Sequence, residues 1–276
     1  MSTLTTPTGA AIGWDDFGDR QAPPLILIQG FSAQRLGWRP GFCQRVADEG
    51  FRVIRFDNRD VGQSQRYPEG GYGVAEFADD TAALLDGLGI DHAHIVGQSM
   101  GGIIAQELAL RHPERVRSLG LMYTAATPNH FIGRDAIEER MSDALPTTRA
   151  EFLHFYPASE AGCASTVYPQ DVSWLTEVAG QIWDNGWDPA GVERQLAALL
   201  QWTGSLAAMS KVTTPTTILA GDADQLIDYA ASRELHDAMP ESTLTIFPGM
   251  GHEVPEPLWG EISRLLAANA SRAEGR

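Results

Sequence analysis

Residues 92–112 read HAHIVGQSMGGIIAQELALRH, and Pro113 follows. The run HAHIV at 92–96 is short, apolar and bounded by a glycine, the pattern of a buried strand. From Met100 the apolar residues continue as a helix, MGGIIAQELALRH, which the proline terminates. Between them stands Gly97-Gln98-Ser99-Met100-Gly101. A Gly-x-Ser-x-Gly stretch recurs by chance in many chains. Its position at a strand-to-helix junction gives it weight, because a sharp turn there exposes the serine hydroxyl at the open end of a sheet. Gly97 and Gly101 leave room for such a turn, where side chains would collide with the neighbouring strand and helix. The amides opening the helix point toward developing negative charge, so the Met100 amide is a candidate oxyanion donor.

Working outward, LILI at 25–28, FRVIRF at 51–56 and VRSLGLMY at 116–123 also read as strands, with helical patterns at 39–50 and 73–89 between them. This βαβαβ alternation implies a parallel sheet covered on both faces. The rhythm stops near residue 125. From there to about 210 the chain shows helical stretches, no convincing strand, and the aromatics Phe131, Phe152, Phe155, Tyr156, Tyr168, Trp174, Trp183, Trp187 and Trp202. It resumes with TTILAGD at 216–222, a helix at 229–239, STLTIFP at 242–248 and a helix at 256–269. The expected organisation is an α/β core made of 1–124 and 211–276, interrupted by a mostly helical cap at 125–210. The tail SRAEGR is expected to fray.

A serine hydroxyl needs a base to take its proton. Of the seven histidines, His92, His94 and His112 flank the 92–112 stretch itself, His130 and His154 fall in the insertion, and His236 lies in a polar helix. His252 instead follows a strand in the glycine-rich loop Pro248-Gly-Met-Gly-His252, at the sheet end where open α/β sheets place their sites. A carboxylate is needed to orient that imidazole. Asp222 ends the 216–222 strand and Asp224 and Asp228 follow it, and spacing alone does not choose among them.

Composition bounds the partners. The chain has 276 residues, 36 acidic against 20 Lys or Arg, and a formal charge of −16. Such a surface repels phosphate backbones and anionic membranes, so nucleic-acid and membrane partners are not expected; solubility is the plainest use of the charge. The two cysteines, Cys43 and Cys163, form no CxxC, which argues against a disulfide framework or a cysteine-rich metal site. No signal peptide or apolar run of membrane-spanning length is present, and the expected compartment is the cytoplasm. A homodimer is compatible with the sequence.

Together these residues resemble the α/β-hydrolase family. The resemblance covers nearly the whole chain: Gln29-Gly30-Phe31, Asp57-Asn-Arg59-Asp-Val-Gly62-Gln-Ser64, Gly97-Gln-Ser99-Met-Gly101-Gly102, His112-Pro-Glu-Arg-Val, Gly221-x-x-Asp224 and Gly251-His252. It implies a mostly parallel central sheet flanked by helices, with a helical cap over the site. It selects Asp224, three residues after a strand-ending glycine, as the acid; the proline usual four residues later is Asp228 here. It implies that the Phe31 amide is the second oxyanion donor, in a loop that usually reads His-Gly and here reads Gln29-Gly30. At the elbow, Gln98 stands where histidine is frequent. The 57–64 stretch and Leu36-Gly37-Trp38 look like the aclacinomycin methylesterase branch. The 57–64 stretch itself reads as a turn whose arginine and aspartates pair locally, outside the site.

Family members that attack saturated carbon carry an aspartate at the elbow, so Ser99 implies acyl transfer. The expected activity is hydrolysis of a carboxylic ester of a bulky, apolar small molecule through Ser99, Asp224 and His252, without metal or organic cofactor. A lactonase and a C–C bond hydrolase are the enzymatic alternatives, and a ligand receptor on the same fold is the non-enzymatic one. Gly30, Phe31, Met100 and Val254 are expected to line the pocket, with Trp183, Trp187 and Trp202 as lid residues.

Overall fold

The computed structural model describes residues 2–132 and 145–275. One eight-stranded sheet runs through it, in the order β1-β2-β4-β3-β5-β6-β7-β8. The strands are β1 (Ser2–Thr5), β2 (Ala11–Phe17), β3 (Pro24–Ile28), β4 (Arg52–Phe56), β5 (Ala93–Gln98), β6 (Val116–Met122), β7 (Thr216–Gly221) and β8 (Ser242–Phe247). From β4 to β8 every neighbour is parallel, while β2 pairs antiparallel with β4, and β1 antiparallel with β2. The residue patterns alone did not locate the two antiparallel strands. In β2 the acidic pair Asp15–Asp16 hides the strand from an apolar-run reading; Asp15 stands opposite Arg55 in the ladder and binds it at 2.6 Å, and Asp16 binds Arg52 at 2.9 Å.

Helices α1 (Pro40–Ala47) and α9 (Trp259–Ala273) cover one face of the sheet. Helices α2 (Val74–Gly87), α3 (Met100–Arg111) and α8 (Ala230–Ala238) cover the other. The central strands are therefore mostly buried on both faces rather than alternating; Ile26, Leu27, Ile28 and Ile95 have no exposed surface. α9 continues to Ala273, so Ser271 and Arg272 are helical and not frayed as expected: Asn269 and Arg272 reach back to main-chain carbonyls at Leu119 and Glu241 and tie the last turn down.

Between β6 and β7 lie α4 (Arg149–Ala161), α5 (Val172–Asp184), α6 (Pro189–Gln201) and the short α7 (Leu206–Met209). Part of the expected cap, 133–144, falls outside the described residues. Each helix opens on a side-chain cap, Thr148, Asp171, Asp188 and Ser205. Phe152, Val178, Ala179 and Ile182 make a small core of their own, joined by Leu36.

Buried polar bonds bolt this region to the sheet. Gln34 Nε2 donates to the Ile182 carbonyl at 3.0 Å, and Gln195 accepts from the Ser32 amide at 2.9 Å while donating to the Arg59 carbonyl at 2.7 Å. Arg194 donates to Asp60 at 2.6 Å, and Asp57 pairs with Arg35 and accepts from Asn185. The 57–64 stretch lies outside the cavity described below, but its charges do not pair locally as expected. Their partners come from distant elements, because a fully buried carboxylate must find cations wherever the fold brings them.

No helix among the described residues is long and apolar enough to cross a membrane.

Candidate active site

Strand order reverses between β3 and β5, since the chain steps from β3 out to β4 and returns to the other side of β3. Loops leaving the C-terminal ends of two such strands diverge and open a crevice. Gly30 leaves β3 and Ser99 leaves β5 at this point, and a Cβ built on Gly30 would stand 3.2 Å from that of Ser99.

Ser99 has φ 55° and ψ −125°, a conformation that side chains rarely adopt. Such a backbone costs about 1–3 kcal/mol and persists only when its surroundings impose it. Here the Ser99 amide donates to the Met122 carbonyl at 2.9 Å, and Thr124 Oγ1 donates to the Ser99 carbonyl at 2.8 Å. The turn is tight enough that a Cβ on Gly97 would meet the Gly101 oxygen at 2.1 Å, and one on Gly101 the Ile28 oxygen at 2.2 Å.

His252 follows β8. Its amide donates to the Cys163 carbonyl at 2.9 Å, which stitches this loop to the inserted region. Its Nδ1 lies 2.7 Å from Asp224 Oδ2. Asp224 is buried, and its Oδ1 accepts the Leu226 and Ile227 amides at 2.8 and 3.0 Å. A carboxylate held by two amides is an acceptor for the imidazole, so in the neutral ring Nδ1 is the nitrogen that carries the proton and the lone pair falls on Nε2. The other two aspartates go elsewhere: Asp222 accepts the Gly249 amide at 2.6 Å and Asp228 caps Ala230 at 2.9 Å. Among the other histidines, His94 is buried against Ser118, and burial pushes it down to about 4. His112 binds Asp79 at 2.8 Å, and His236 lies 2.8 Å from Ser242.

Ser99 and His252 both line one cavity of about 660 Å³, large enough for a drug-sized molecule. Gly30, Phe31, Met100 and Val254 line it as expected from the sequence. Of the three lid tryptophans, only Trp187 does. Trp183 packs on Phe152 at 5.8 Å inside the inserted core, and Trp202 stacks on Phe131 at 6.1 Å. Trp174, Phe155 and Tyr156 take their place in the lining. Sequence reasoning also missed Trp38, Phe42 and Trp259 on the sheet side. Leu36-Gly37-Trp38 had been singled out as a stretch, and that was the signal available for Trp38. Arg39 lies between the Trp174 and Trp259 rings, 4.7 and 4.9 Å from their centroids, and pairs with Asp171 and Glu256 at 2.8 and 3.3 Å.

One acidic group in the lining is strongly perturbed. Burial, and next the charge of Glu253, push Glu160 up from 4.5 to about 7, against a smaller opposing pull from His252. The folded chain thus holds this proton over a pH range in which the unfolded chain has released it. Its contribution to stability is present below the unfolded value of 4.5 and is lost as pH rises through about 7. Glu160→Gln is expected to raise the melting temperature measured at about pH 8, with little difference from the parent near pH 5. An equal shift at both pH values would contradict this reading of Glu160.

The sequence profile of the α/β-hydrolase fold family matches residues 23–256. RutD of Caulobacter sp. (strain K31), a protein named for carbamate hydrolysis, is 28% identical over 264 residues, covering 92% of this chain and 93% of its own. Rhodomycin D methylesterase DauP of Streptomyces sp. (strain C5) is 28% identical over 285 residues, covering 94% and 95%. Among solved structures, the meta-cleavage product hydrolase CumD of Pseudomonas fluorescens IP01 superposes with a TM-score of 0.80 at 22% identity, covering 99% of this chain and 98% of its own. At that identity it speaks for the fold alone. With the sheet order, the elbow and the profile in agreement, the chain belongs to the α/β-hydrolase fold family.

Proposed function

We propose that the protein is a serine hydrolase that cleaves a carboxylic ester of a bulky, apolar small molecule through an acyl-enzyme. The observation that carries this reading is the strained Ser99 sharing one apolar cavity with His252, whose Nδ1 is bound by Asp224. His252 Nε2 takes the proton as Ser99 Oγ bonds to the acyl carbon. The carbonyl oxygen becomes an oxyanion held by the Phe31 and Met100 amides. The amides on either side of Phe31 are already engaged, Gly30 by Gln29 Oε1 at 3.0 Å and Ser32 by Gln195 Oε1 at 2.9 Å, which leaves the one between them for substrate. The tetrahedral intermediate collapses, the alkoxide leaves with the proton from imidazolium, and water activated by His252 releases the acid.

The lining is chiefly apolar, with many aromatic rings, and its volume suits a large acyl or alcohol part. A relative named as a methylesterase and another named for carbamate hydrolysis support acyl chemistry of this kind. Esters, lactones and carbamates share the attacked carbonyl and differ in how the leaving atom is tethered. Acid release from bulky methyl esters, macrocyclic and small lactones, aryl carbamates and short acyl esters, followed by pH-stat, separates them. Multiple turnovers on bulky methyl esters are expected. One adduct per chain, with no further turnover on any class, would replace the enzyme by a receptor that reacts once.

Within the cavity, Trp187→Ala is expected to raise KM for a bulky ester about tenfold with a smaller change in kcat, since it removes contact area made before the chemical step. Steady-state kinetics check this; an unchanged KM would take Trp187 out of the binding wall.

A further inference from the structure

We propose that Gln29, Gln98 and Tyr123 form a one-way hydrogen-bond relay that positions the oxyanion-binding loop relative to His252. The proposal rests on the acyl-transfer reading of Ser99 given above.

The relay is fixed in direction by a group that has no choice. The Gly30 amide can only donate, and it meets the Gln29 side chain at 3.0 Å, so the atom there is Oε1. The Gln98 atom facing that same oxygen is therefore its Nε2. Gln98 Oε1 is thereby turned to the other side, where the Tyr123 hydroxyl donates to it. Amide orientation is ordinarily ambiguous, but here one backbone N–H settles both side chains. Burial, and next the charge of Asp224, hold the Tyr123 phenol well above its ordinary range, so it remains a donor.

Each member sits where a displacement reaches the site. Gln29 is 1% exposed and is the last residue before the loop carrying Gly30 and Phe31. By accepting the Gly30 amide it turns that peptide, and so sets where the next amide points. Gln98 directly precedes Ser99. Tyr123 has φ 36°, a left-handed backbone just past β6, and its ring packs 4.7 Å from the His252 imidazole. The fold carries this strain in a non-glycine residue at the point where one side chain touches both the proposed base and the relay. A 1 Å shift of an oxyanion donor is costly, because its value depends on meeting charge that exists only in the transition state. Gln29, Gln98 and Tyr123 are thus positioning residues: each acts through the Phe31 amide or His252.

The test uses Gln29→Met, Gln98→Met and Tyr123→Phe in the full chain. The first readout is the rate at which an alkyl fluorophosphonate modifies Ser99, since its phosphoryl oxygen needs the same donors. The second is kcat and KM on 4-nitrophenyl butyrate. The glutamine variants are expected to slow both modification and kcat about 10- to 100-fold, with KM within about twofold. Tyr123→Phe removes only a hydroxyl and is expected to cost about three- to tenfold. The Gln29→Met/Gln98→Met pair is expected to be no worse than either single variant, because both break one chain.

Gln98→Glu supplies a signature that simple loss of packing does not. As the neutral acid it donates to Gln29 Oε1; as a carboxylate it repels that oxygen. Its rate relative to the parent is expected to rise about tenfold or more as pH falls from about 8 to about 5. A new carboxylate that acted only by raising the His252 pKa would move the ratio the other way. Parent-like modification rates in all three variants, or losses that multiply in the pair, would overturn the relay. A parent chain that the fluorophosphonate does not modify at Ser99 would overturn the hydrolase reading itself, and the relay with it.

Discussion

Replacing Ser99 by alanine is expected to lower kcat by on the order of 10⁶-fold, the scale seen when the nucleophile of a Ser-His-Asp set is removed. The fold should survive the change. Alanine is smaller, and the hydrogen bonds that impose φ 55° come from backbone atoms and Thr124, which the substitution leaves in place. His252→Ala is expected to cost a similar factor. The double variant should be little worse than either, because in the proposed mechanism the two side chains act in one proton transfer and the second loss removes nothing further. Initial rates on the best ester of the panel, with circular dichroism as the control for folding, check this. A Ser99→Ala chain that still turns over within about tenfold of the parent would take the reaction away from the elbow.

The largest effect on stability is expected away from the cavity, at Asp57. Its side chain and that of Arg35 are fully buried and paired. The carboxylate also accepts the Arg35 amide at 2.7 Å, the Gln63 amide at 2.9 Å and Asn185 Nδ2 at 3.3 Å. Asp57→Ala leaves the buried Arg35 guanidinium with only the partly exposed Asp15 carboxylate, 3.4 Å from Nε, as counter-charge, at a cost of about 3–5 kcal/mol. With roughly 2–4 °C per kcal/mol for a chain of this size, the melting temperature should fall by about 10 °C. The paired replacement Asp57→Leu/Arg35→Met removes both charges and should restore much of the loss, since the penalty lies in the unpaired ion. Denaturant unfolding of the three chains decides it. A single-variant loss under about 1 kcal/mol would mean that water reaches Arg35.

How much of this was legible in the sequence follows from what each signal measures. The parallel strands were readable because burial on both faces makes them short apolar runs that end at glycine, as ILI does before Gln29-Gly30 and HIV before Gly97. The placement of Ser99 and His252 at one cavity was readable because glycine-rich turns betray strand ends. The acid was open among three aspartates on spacing alone, because what distinguishes Asp224 is the pair of amides at Leu226 and Ile227 that hold it against His252, a matter of loop shape. The lid was read least well. Trp183 and Trp187 are four residues apart, yet a positive-φ glycine at 186 ends the helix between them and sends only Trp187 to the cavity. Which face of an inserted helix meets the cavity depends on how it docks, and docking here runs through Gln34, Asn185 and Gln195.

The position of the insertion also has a consequence for synthesis. β6 is complete at Met122, but the strand that covers its outer edge begins only at Thr216. On a ribosome adding about 5–20 residues per second, that interval is on the order of ten seconds. Throughout it, the backbone of Leu119–Met122 presents unpaired groups beside side chains that the finished molecule hides completely. A bare apolar edge of this kind recruits other strands, including those of neighbouring nascent chains. The span between β6 and β7 therefore acts as a delay line. Lengthening it widens the period of vulnerability to aggregation, and shortening it brings β7 to the edge sooner.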